Sequence, residues 1–133
     1  MSPEFPDRFN LADYFLYDRL NEGLADKAAV LYGDRRYSYG EVARRSAALG
    51  AYLQSSGLKP EERVYVVLPD TPPFVWAIFA TWTAGGVLAM GNPAAPVDDL
   101  EYVIDYVGAS ALVTTPSVAA KLVAPKGRSY KGG

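Results

Sequence analysis

The sequence predicts an α/β fold with alternating strands and helices in a mostly parallel layered sheet after an N-terminal hairpin. Two short strand-like runs flank a Gly-Asp pair near the start of the chain, which is the pattern of a hairpin. From residue 38 onward, helical periods alternate with short apolar runs. The run from Val64 to Leu68 is apolar or aromatic throughout, as is typical of a strand covered on both faces.

The first predicted elements are a helix and the hairpin. Asn10 is a suitable N-cap for a helix that Gly23 can end. The apolar positions of this helix recur at roughly helical spacing: Leu11, Tyr14, Phe15 and Leu20. Residues 28–32 and 35–38 are the two strands, and Gly33-Asp34 is their turn, because glycine tolerates a positive φ.

The strongest helix prediction begins at Ser38, which has the capping-box spacing to Glu41. One buried stripe follows in steps of four, three and four: Val42, Ser46, Leu49 and Leu53. The polar residues Arg44, Arg45 and Gln54 fall outside this stripe. Gly57 stands where a left-handed C-cap is expected, so the helix ends just before it.

The strand that ends before Pro69 leads into an apolar helix. Thr71 can cap this helix, with Pro72 at its first position, where the missing N–H costs nothing. From Phe74 to Ala84 the helix is apolar nearly all round, which predicts a position sandwiched between other elements. Residues 87–90 then form another predicted strand.

A loop through Pro93 and Pro96 precedes a third amphipathic helix, which Asp98 and Glu101 open. Its apolar positions are Leu100, Val103, Ile104 and Val107. A strand follows at 111–114, and Thr115-Pro116 caps a short helix that ends near Leu122. No periodicity continues from Ala124, so the sequence predicts a subdomain over 1–123 and a linker or tail over 124–133.

Composition excludes several classes of function. The 133 residues contain neither Cys nor His, so a disulfide framework, a thiol nucleophile and the usual proton shuttle are ruled out. A net charge of −2 without a basic stripe argues against nucleic-acid binding. The ten tyrosines fall mostly at predicted element edges, where a ring is buried and its hydroxyl stays wet, so a stacking surface for aromatic ligands is disfavoured.

Neither a signal peptide nor a membrane span is predicted. The first ten residues lack a basic patch followed by an apolar stretch. The uncharged stretch from Phe74 to Met90 is short for a span, and Gly85-Gly86 interrupts it, so a core helix running into a strand is favoured. The two glycines lack the spacing of a phosphate-binding fingerprint and predict a close helix-to-strand turn.

Acidic residues are the remaining candidates for chemistry. Asp70 follows a predicted strand end, where open α/β sheets often bind ligands, but a solvated loop acid or a second helix cap is favoured. Asp98 and Asp99 are adjacent, with Glu101 and Asp105 at helical spacing. Adjacent side chains diverge on a helix, so a metal pair would need another segment, and complementing the helix dipole is the ordinary explanation.

The order and spacing of several segments resemble the beginning of the adenylate-forming acyl-CoA synthetases, over roughly residues 10–122. The matching segments are Ser38-Tyr39-Gly40-Glu41-Val42, Gly57 through Pro69, Pro72-x-Phe74, Ala84-Gly85, Asp98-Asp99-Leu100 with Tyr102, and Leu112-Val113. The opening is most similar to the aryl-CoA (benzoate- or anthranilate-type) branch, through residues 10–14 with Asp18, Gly23, Asp26 and Lys27. Thr83 stands where the family commonly has Lys, and Asp70 where Asn is common.

This resemblance implies the first part of the large N-terminal domain of an ATP-dependent acid–CoA ligase, in particular an aryl-CoA ligase. Members of the family activate a carboxylic acid as an acyl-adenylate and transfer the acyl group to coenzyme A. ATP, Mg²⁺ and coenzyme A are therefore expected for the parent enzyme but not as ligands of this chain alone. The family's phosphate loop, adenine-binding segments and catalytic lysine are expected beyond residue 133. No catalytic, cofactor-binding or metal-binding residue is therefore assigned to this chain.

The expected partners are the remainder of the ligase N-terminal domain, its C-terminal domain and an aromatic or other small carboxylic acid. A cytoplasmic location is expected, with no nucleic acid and no membrane as partner; a homodimer is left open. The chain alone is expected to be structural and inactive. Two alternatives stay open: a stand-alone non-catalytic α/β module that binds a partner, and a small flavodoxin-like nucleotide-binding domain. Exposed apolar surface favours the ligase interpretation, whereas stabilisation by nucleotide favours the last one.

Overall fold

The computed structural model describes residues 10–123, so the predicted tail from Ala124 onward lies outside the described residues. A π-helical stretch (Asp13–Tyr17) runs into α1 (Asp18–Asn21). The elements that follow are β1 (Ala28–Tyr32), β2 (Arg35–Ser38), α2 (Tyr39–Ser55), β3 (Arg63–Val67), α3 (Pro72–Thr83), β4 (Val87–Gly91), α4 (Val97–Val107), β5 (Ala109–Thr114) and α5 (Pro116–Val123). The predicted alternation of strands and helices after a hairpin is confirmed.

The central layer is a three-stranded parallel sheet in the order β4-β3-β5. In β3, Val64 and Val66 face α3, whereas Tyr65 and Val67 face α4 and α5. All four side chains are between 0 and 2% exposed, because β3 lies between two strands and has helices on both faces. The prediction of a strand covered on both faces is confirmed.

On one side of the sheet, α2 packs on α3 and the two helices form a layer of their own. Val42, Ser46 and Leu53 are buried along the predicted stripe, and Leu49 is half-buried. The two helices approach closely at Gly50, where a Cβ would lie 3.2 Å from the Ala80 carbonyl oxygen. A larger side chain at this position would therefore push the helices apart.

The outermost layer consists of the first helical segment and the β1–β2 hairpin. The hairpin is antiparallel, with Tyr32 opposite Arg35 and Gly33 at a φ of +57° in the turn. The apolar positions predicted for the first helix are not all buried: Phe15 is 52% exposed, while Leu16, which is not among them, is buried against α2. The cause is the π-helical stretch, whose i→i+5 hydrogen bonds rotate the following side chains relative to an α-helix.

The helix ends confirm most of the predicted caps. The Ala12 N–H donates to Asn10 Oδ1 (2.8 Å), and the Glu41 N–H donates to Ser38 Oγ (3.1 Å). Thr115 Oγ1 likewise accepts from the Val118 N–H (3.4 Å). Thr71 occupies the predicted N-cap position of α3, but its side chain does not cap the helix; the hydroxyl donates to the Pro69 carbonyl oxygen instead.

The apolar helix α3 packs against both the sheet and α2. Ala77 faces the sheet and Ala80 faces Leu53 of α2, so the helix is sandwiched as predicted along these two sides. Trp76 and Trp82 are half-buried, which leaves part of α3 accessible. Over residues 10–123, no helix has the combined length and apolar character that a membrane crossing requires.

Candidate functional site

The carboxyl ends of β3, β4 and β5 meet at one edge of the sheet, the edge at which open α/β sheets bind ligands. We define the edge groove as the open depression between the segments that follow β3 and β4. Its volume is about 580 Å³. The groove is lined by Leu68, Pro69, Asp70, Phe74, Met90, Gly91, Asn92 and Pro93.

The polar groups of the edge groove are few. Asp70 is exposed in the loop between β3 and α3, which confirms the solvated loop acid favoured from the sequence. Asn92 Oδ1 accepts a hydrogen bond from the Ala94 N–H (2.8 Å), so this amide is engaged in shaping its own turn. One exposed carboxylate beside an internally bonded amide provides neither a general acid–base pair nor a metal site.

A second feature of this edge is the topological switch point between β3 and β5. The strand order β4-β3-β5 is the start of a flavodoxin-like order, in which the crevice between the first and third strands binds the ligand. Here the hydroxyl of Thr114 donates to the Val67 carbonyl oxygen (2.6 Å), and Thr115 Oγ1 lies 3.1 Å from Ser117 Oγ. The hydroxyls at the switch point therefore connect the end of β5 to the end of β3 and to the start of α5.

At the carboxyl end of β4, the ring of Tyr65 from the neighbouring strand β3 packs against Gly91. A Cβ at residue 91 would overlap the Tyr65 hydroxyl, so the glycine is required by the tyrosine across the strand pair. Burial raises the pKa of Tyr65 above its ordinary value. Sequence reasoning missed this pair, since nothing in the local pattern of either strand connects residues 65 and 91.

The four acids of α4 do not assemble a metal site. Asp98 and Asp99 lie in the first turn, as predicted, and Asp105 is exposed. Glu101 is buried, which the sequence did not predict. Over residues 10–123, no group of three or more acidic side chains is placed to hold a metal ion.

Gly85-Gly86 forms the predicted tight turn between α3 and β4. Gly85 has a φ of +78°, and a Cβ on Gly86 would lie 3.3 Å from the carbonyl oxygens of Glu62 and Thr81. The Glu61 N–H donates a hydrogen bond to the Gly85 carbonyl oxygen (2.8 Å), which joins this turn to the loop before β3. Gly85 is therefore needed for its left-handed backbone and Gly86 for close backbone packing, in a tight turn of the kind that the sequence indicates.

At the opposite edge of the sheet, a carboxylate joins two segments. Glu62 accepts hydrogen bonds from the Ser110 hydroxyl (2.6 Å) and from the Lys59 N–H (2.7 Å). These two bonds lower the pKa of Glu62, the contact with Ser110 being the larger cause. Because this carboxylate holds the start of β5 to the turn before β3, its role is structural.

We define the apolar groove as a depression between the first helix, the hairpin and α3. It has a volume of about 440 Å³. The lining residues are almost all apolar: Phe15, Leu16, Ala29, Val30, Tyr39, Val42, Val75, Ile78, Phe79 and Trp82. An apolar depression with so few polar groups can be covered by another apolar surface, but it cannot carry out acid–base or nucleophilic chemistry.

Residues 17–131 match the family described as AMP-binding enzyme. Among curated proteins, the chain is 33% identical over 96 residues to feruloyl-CoA synthase from an Amycolatopsis species, covering 72% of this chain and 20% of that protein. It is also 30% identical over 111 residues to a component of linear gramicidin synthase from Brevibacillus parabrevis, covering 84% of this chain and 2% of that protein. The chain thus spans at most about a fifth of these relatives.

Solved structures show the same fold. A benzoate CoA ligase from Burkholderia xenovorans LB400 superposes with a TM-score of 0.78 at 28% identity, covering 87% of this chain and 23% of that chain. The anthranilate CoA ligase AuaEII in complex with anthranoyl-AMP superposes with a TM-score of 0.81 at 21% identity, covering 89% and 22%. These findings confirm both the α/β fold class and the resemblance found in the sequence.

Proposed function

Because the chain belongs to the AMP-binding enzyme family, whose members form adenylates, we propose that it is the first part of the large domain of an acid–CoA ligase. The observation that carries the proposal is the joint match in sequence and fold over most of the chain. The aromatic-acid ligases among its structural neighbours support an aromatic carboxylic acid as substrate.

In the proposed reaction of the whole protein, a carboxylate oxygen of the acid attacks the α-phosphorus of ATP. The acyl-adenylate forms and pyrophosphate leaves. The sulfur of coenzyme A then attacks the acyl carbon, the bond to the AMP oxygen breaks, and the thiol proton is released. Mg²⁺ would offset the phosphate charge in the first step. A cationic site would stabilise the pentavalent transition state.

We propose a structural role for this chain within that domain. The hydroxyls of Thr114 and Thr115 bond to the backbone of Val67 and Val118, and the described residues that line the two grooves include no pair of catalytic groups. The subdomain over 1–123 would build one sheet layer and a wall of the domain, and 124–133 would lead to the rest. The cytoplasmic location and the homodimer stay predictions.

A second candidate function is the adenylation of an amino acid by a peptide synthetase. The specific observation is the similarity to the linear gramicidin synthase component, which covers more of this chain than the similarity to feruloyl-CoA synthase does. In this case the acyl group would pass to a carrier thiol of the same assembly instead of free coenzyme A.

The experiment begins with the intact mass of the natural protein, compared with the 14.4 kDa of these residues. For a protein of several tens of kDa, ATP–pyrophosphate exchange is measured with benzoate, anthranilate and a panel of amino acids. Exchange with an aryl acid, followed by CoA-dependent AMP release, supports the proposal. Exchange with an amino acid and no acyl-CoA supports the second candidate. A mass near 14.4 kDa without exchange favours the stand-alone partner-binding module.

A further inference from the structure

The apolar groove follows one side of α3. Four apolar residues of this helix line the groove at helical spacing: Val75, Ile78, Phe79 and Trp82. We call them the α3 stripe, which is about 10 Å long because a helix rises about 1.5 Å per residue. All four side chains are half-buried, so an apolar group that covered the groove would remove more of their surface from water. The groove therefore favours an apolar occupant.

The described part of the chain begins at one end of the α3 stripe. The side-chain amide of Asn10 donates to the Trp82 carbonyl oxygen (2.7 Å), and its oxygen accepts from the Ala12 N–H (2.8 Å). These bonds fix Asn10 at the last turn of α3, where Trp82 ends the stripe. Because consecutive Cα atoms are only about 3.8 Å apart, the residues that precede Asn10 can reach the groove.

The sequence of residues 1–9 contains apolar side chains at a suitable spacing. Phe5 and Phe9 are four residues apart. Side chains at this spacing point to the same side of an extended chain and stand about 13 Å from each other, which is close to the length of the α3 stripe. Pro3 and Pro6 oppose a regular helix in this segment and favour an extended chain.

We propose that residues 1–9 dock in the apolar groove, with Phe9 beside Trp82 and Phe5 toward Val75. This occupant is tethered to the groove through Asn10, so its effective concentration there is in the millimolar range of a short linker. A second copy of the chain would have to reach that concentration in solution to compete for the same surface. Docking of the two aromatic rings joins the start of the chain to α3 and covers the groove.

The first test is oxidative cross-linking in the full chain, which contains no natural Cys. Docking brings the two thiols of Phe5→Cys/Val75→Cys together, so we expect their intramolecular disulfide to form about tenfold faster than that of a control pair. The control is Phe5→Cys/Tyr102→Cys, because Tyr102 is exposed on α4, across the sheet from α3. Non-reducing electrophoresis and intact mass measure the two rates. Equal rates, or disulfide-linked dimers in place of the intramolecular bond, overturn the proposal.

The second test uses the fluorescence of Trp82, which is the single tryptophan of the chain in a Trp76→Phe background. In this background, Phe5→Ser/Phe9→Ser should shift the emission of Trp82 to longer wavelength, because water reaches the uncovered groove. The same change should lower the urea midpoint of unfolding, since the apolar contacts of the two rings are lost.

The matched control is Glu4→Ser/Arg8→Ser, in which each changed residue directly precedes one of the phenylalanines. This control should change neither the emission of Trp82 nor the urea midpoint. An unchanged emission in the phenylalanine variant, or an equal shift in the control, overturns the proposal. So does a shift that depends on protein concentration, since a second copy would then be the occupant. If the tryptophan background unfolds, the cysteine pairs decide the question without it.

Discussion

The central sheet layer and the outer layer of the first helix and hairpin differ in how completely they are buried. In the sheet, Tyr65 and its neighbours in β3 are at most 2% exposed, with a helix on each face. In the outer layer, Leu31 is 75% exposed and Phe15 is 52% exposed beside the apolar groove. The central strand β3 is therefore fully covered by other elements of the chain, whereas the outer layer presents an apolar surface of the kind that a larger assembly covers.

The largest expected effect is the loss of Tyr65. Tyr65→Ala should lower the free energy of unfolding by about 4 kcal/mol, because a fully buried aromatic side chain leaves a cavity between β3 and α4. Tyr32→Ala in the outer layer should change it by less than about 0.5 kcal/mol. Urea denaturation of both variants measures the difference; similar losses would contradict the contrast between the two layers.

The fit between Tyr65 and Gly91 gives a related control. Gly91→Ala should destabilise the wild-type protein by about 2 kcal/mol, because the added methyl group overlaps the tyrosine ring. In the Tyr65→Ala background the same change should cost less than about 0.5 kcal/mol. A double-mutant cycle by urea denaturation measures this coupling. An equal cost in both backgrounds would mean that the two residues do not constrain each other.

Substitution of Gly50 tests the contact between α2 and α3, through which the outer layer packs onto the sheet. Gly50→Val should lower the free energy of unfolding by about 2 kcal/mol, because the side chain meets the Ala80 carbonyl oxygen and separates α2 from α3. Ala51→Val is the matched control, since the next residue of α2 is exposed. Thermal unfolding of the two variants should differ clearly; an equal shift would leave only the helix propensity of valine as the cause.

Substitutions of the N-cap serine of α2 and of a buried serine within this helix should have effects of opposite sign. Ser38→Ala removes the N-cap bond to the Glu41 N–H and should destabilise the protein by about 1 kcal/mol. Ser46→Ala removes a buried hydroxyl that has no hydrogen-bond partner among the described residues, and should stabilise it by about 1 kcal/mol. Denaturant midpoints measure both; a loss at Ser46 would indicate a bonded hydroxyl.

The smallest expected effect is pH-dependent and concerns Glu62. Its pKa is lowered in the folded state by hydrogen bonds from Ser110 and Lys59, so it contributes stability above its ordinary pKa. This contribution is lost as the pH falls through the lowered folded-state pKa. Glu62→Gln should therefore be less stable than wild type at pH 7, and the difference should shrink as the pH is lowered below the ordinary pKa of a carboxyl group. A constant difference across this range would argue against a charge-dependent contact.

Much of the local structure followed from the sequence because its signals are short-range. The cap at Ser38, the left-handed Gly57 after α2 and the turn at Gly33 depend on neighbours a few residues away. The apolar run of β3 is also a local signal, since it reflects burial on both faces. The absence of assigned catalytic residues rests on the family resemblance and stays a prediction.

The sequence by itself determined the element order, the α/β class and the family, because periodicity, caps and segment spacing are properties of the chain alone. Only the tertiary structure decided the strand order β4-β3-β5, the burial of Leu16 in place of Phe15, and the packing of Tyr65 under Gly91. These features join residues far apart in sequence or depend on the π-helical stretch that rotates the first helix. The contacts that stabilise these features join distant residues, so no local sequence pattern predicts them.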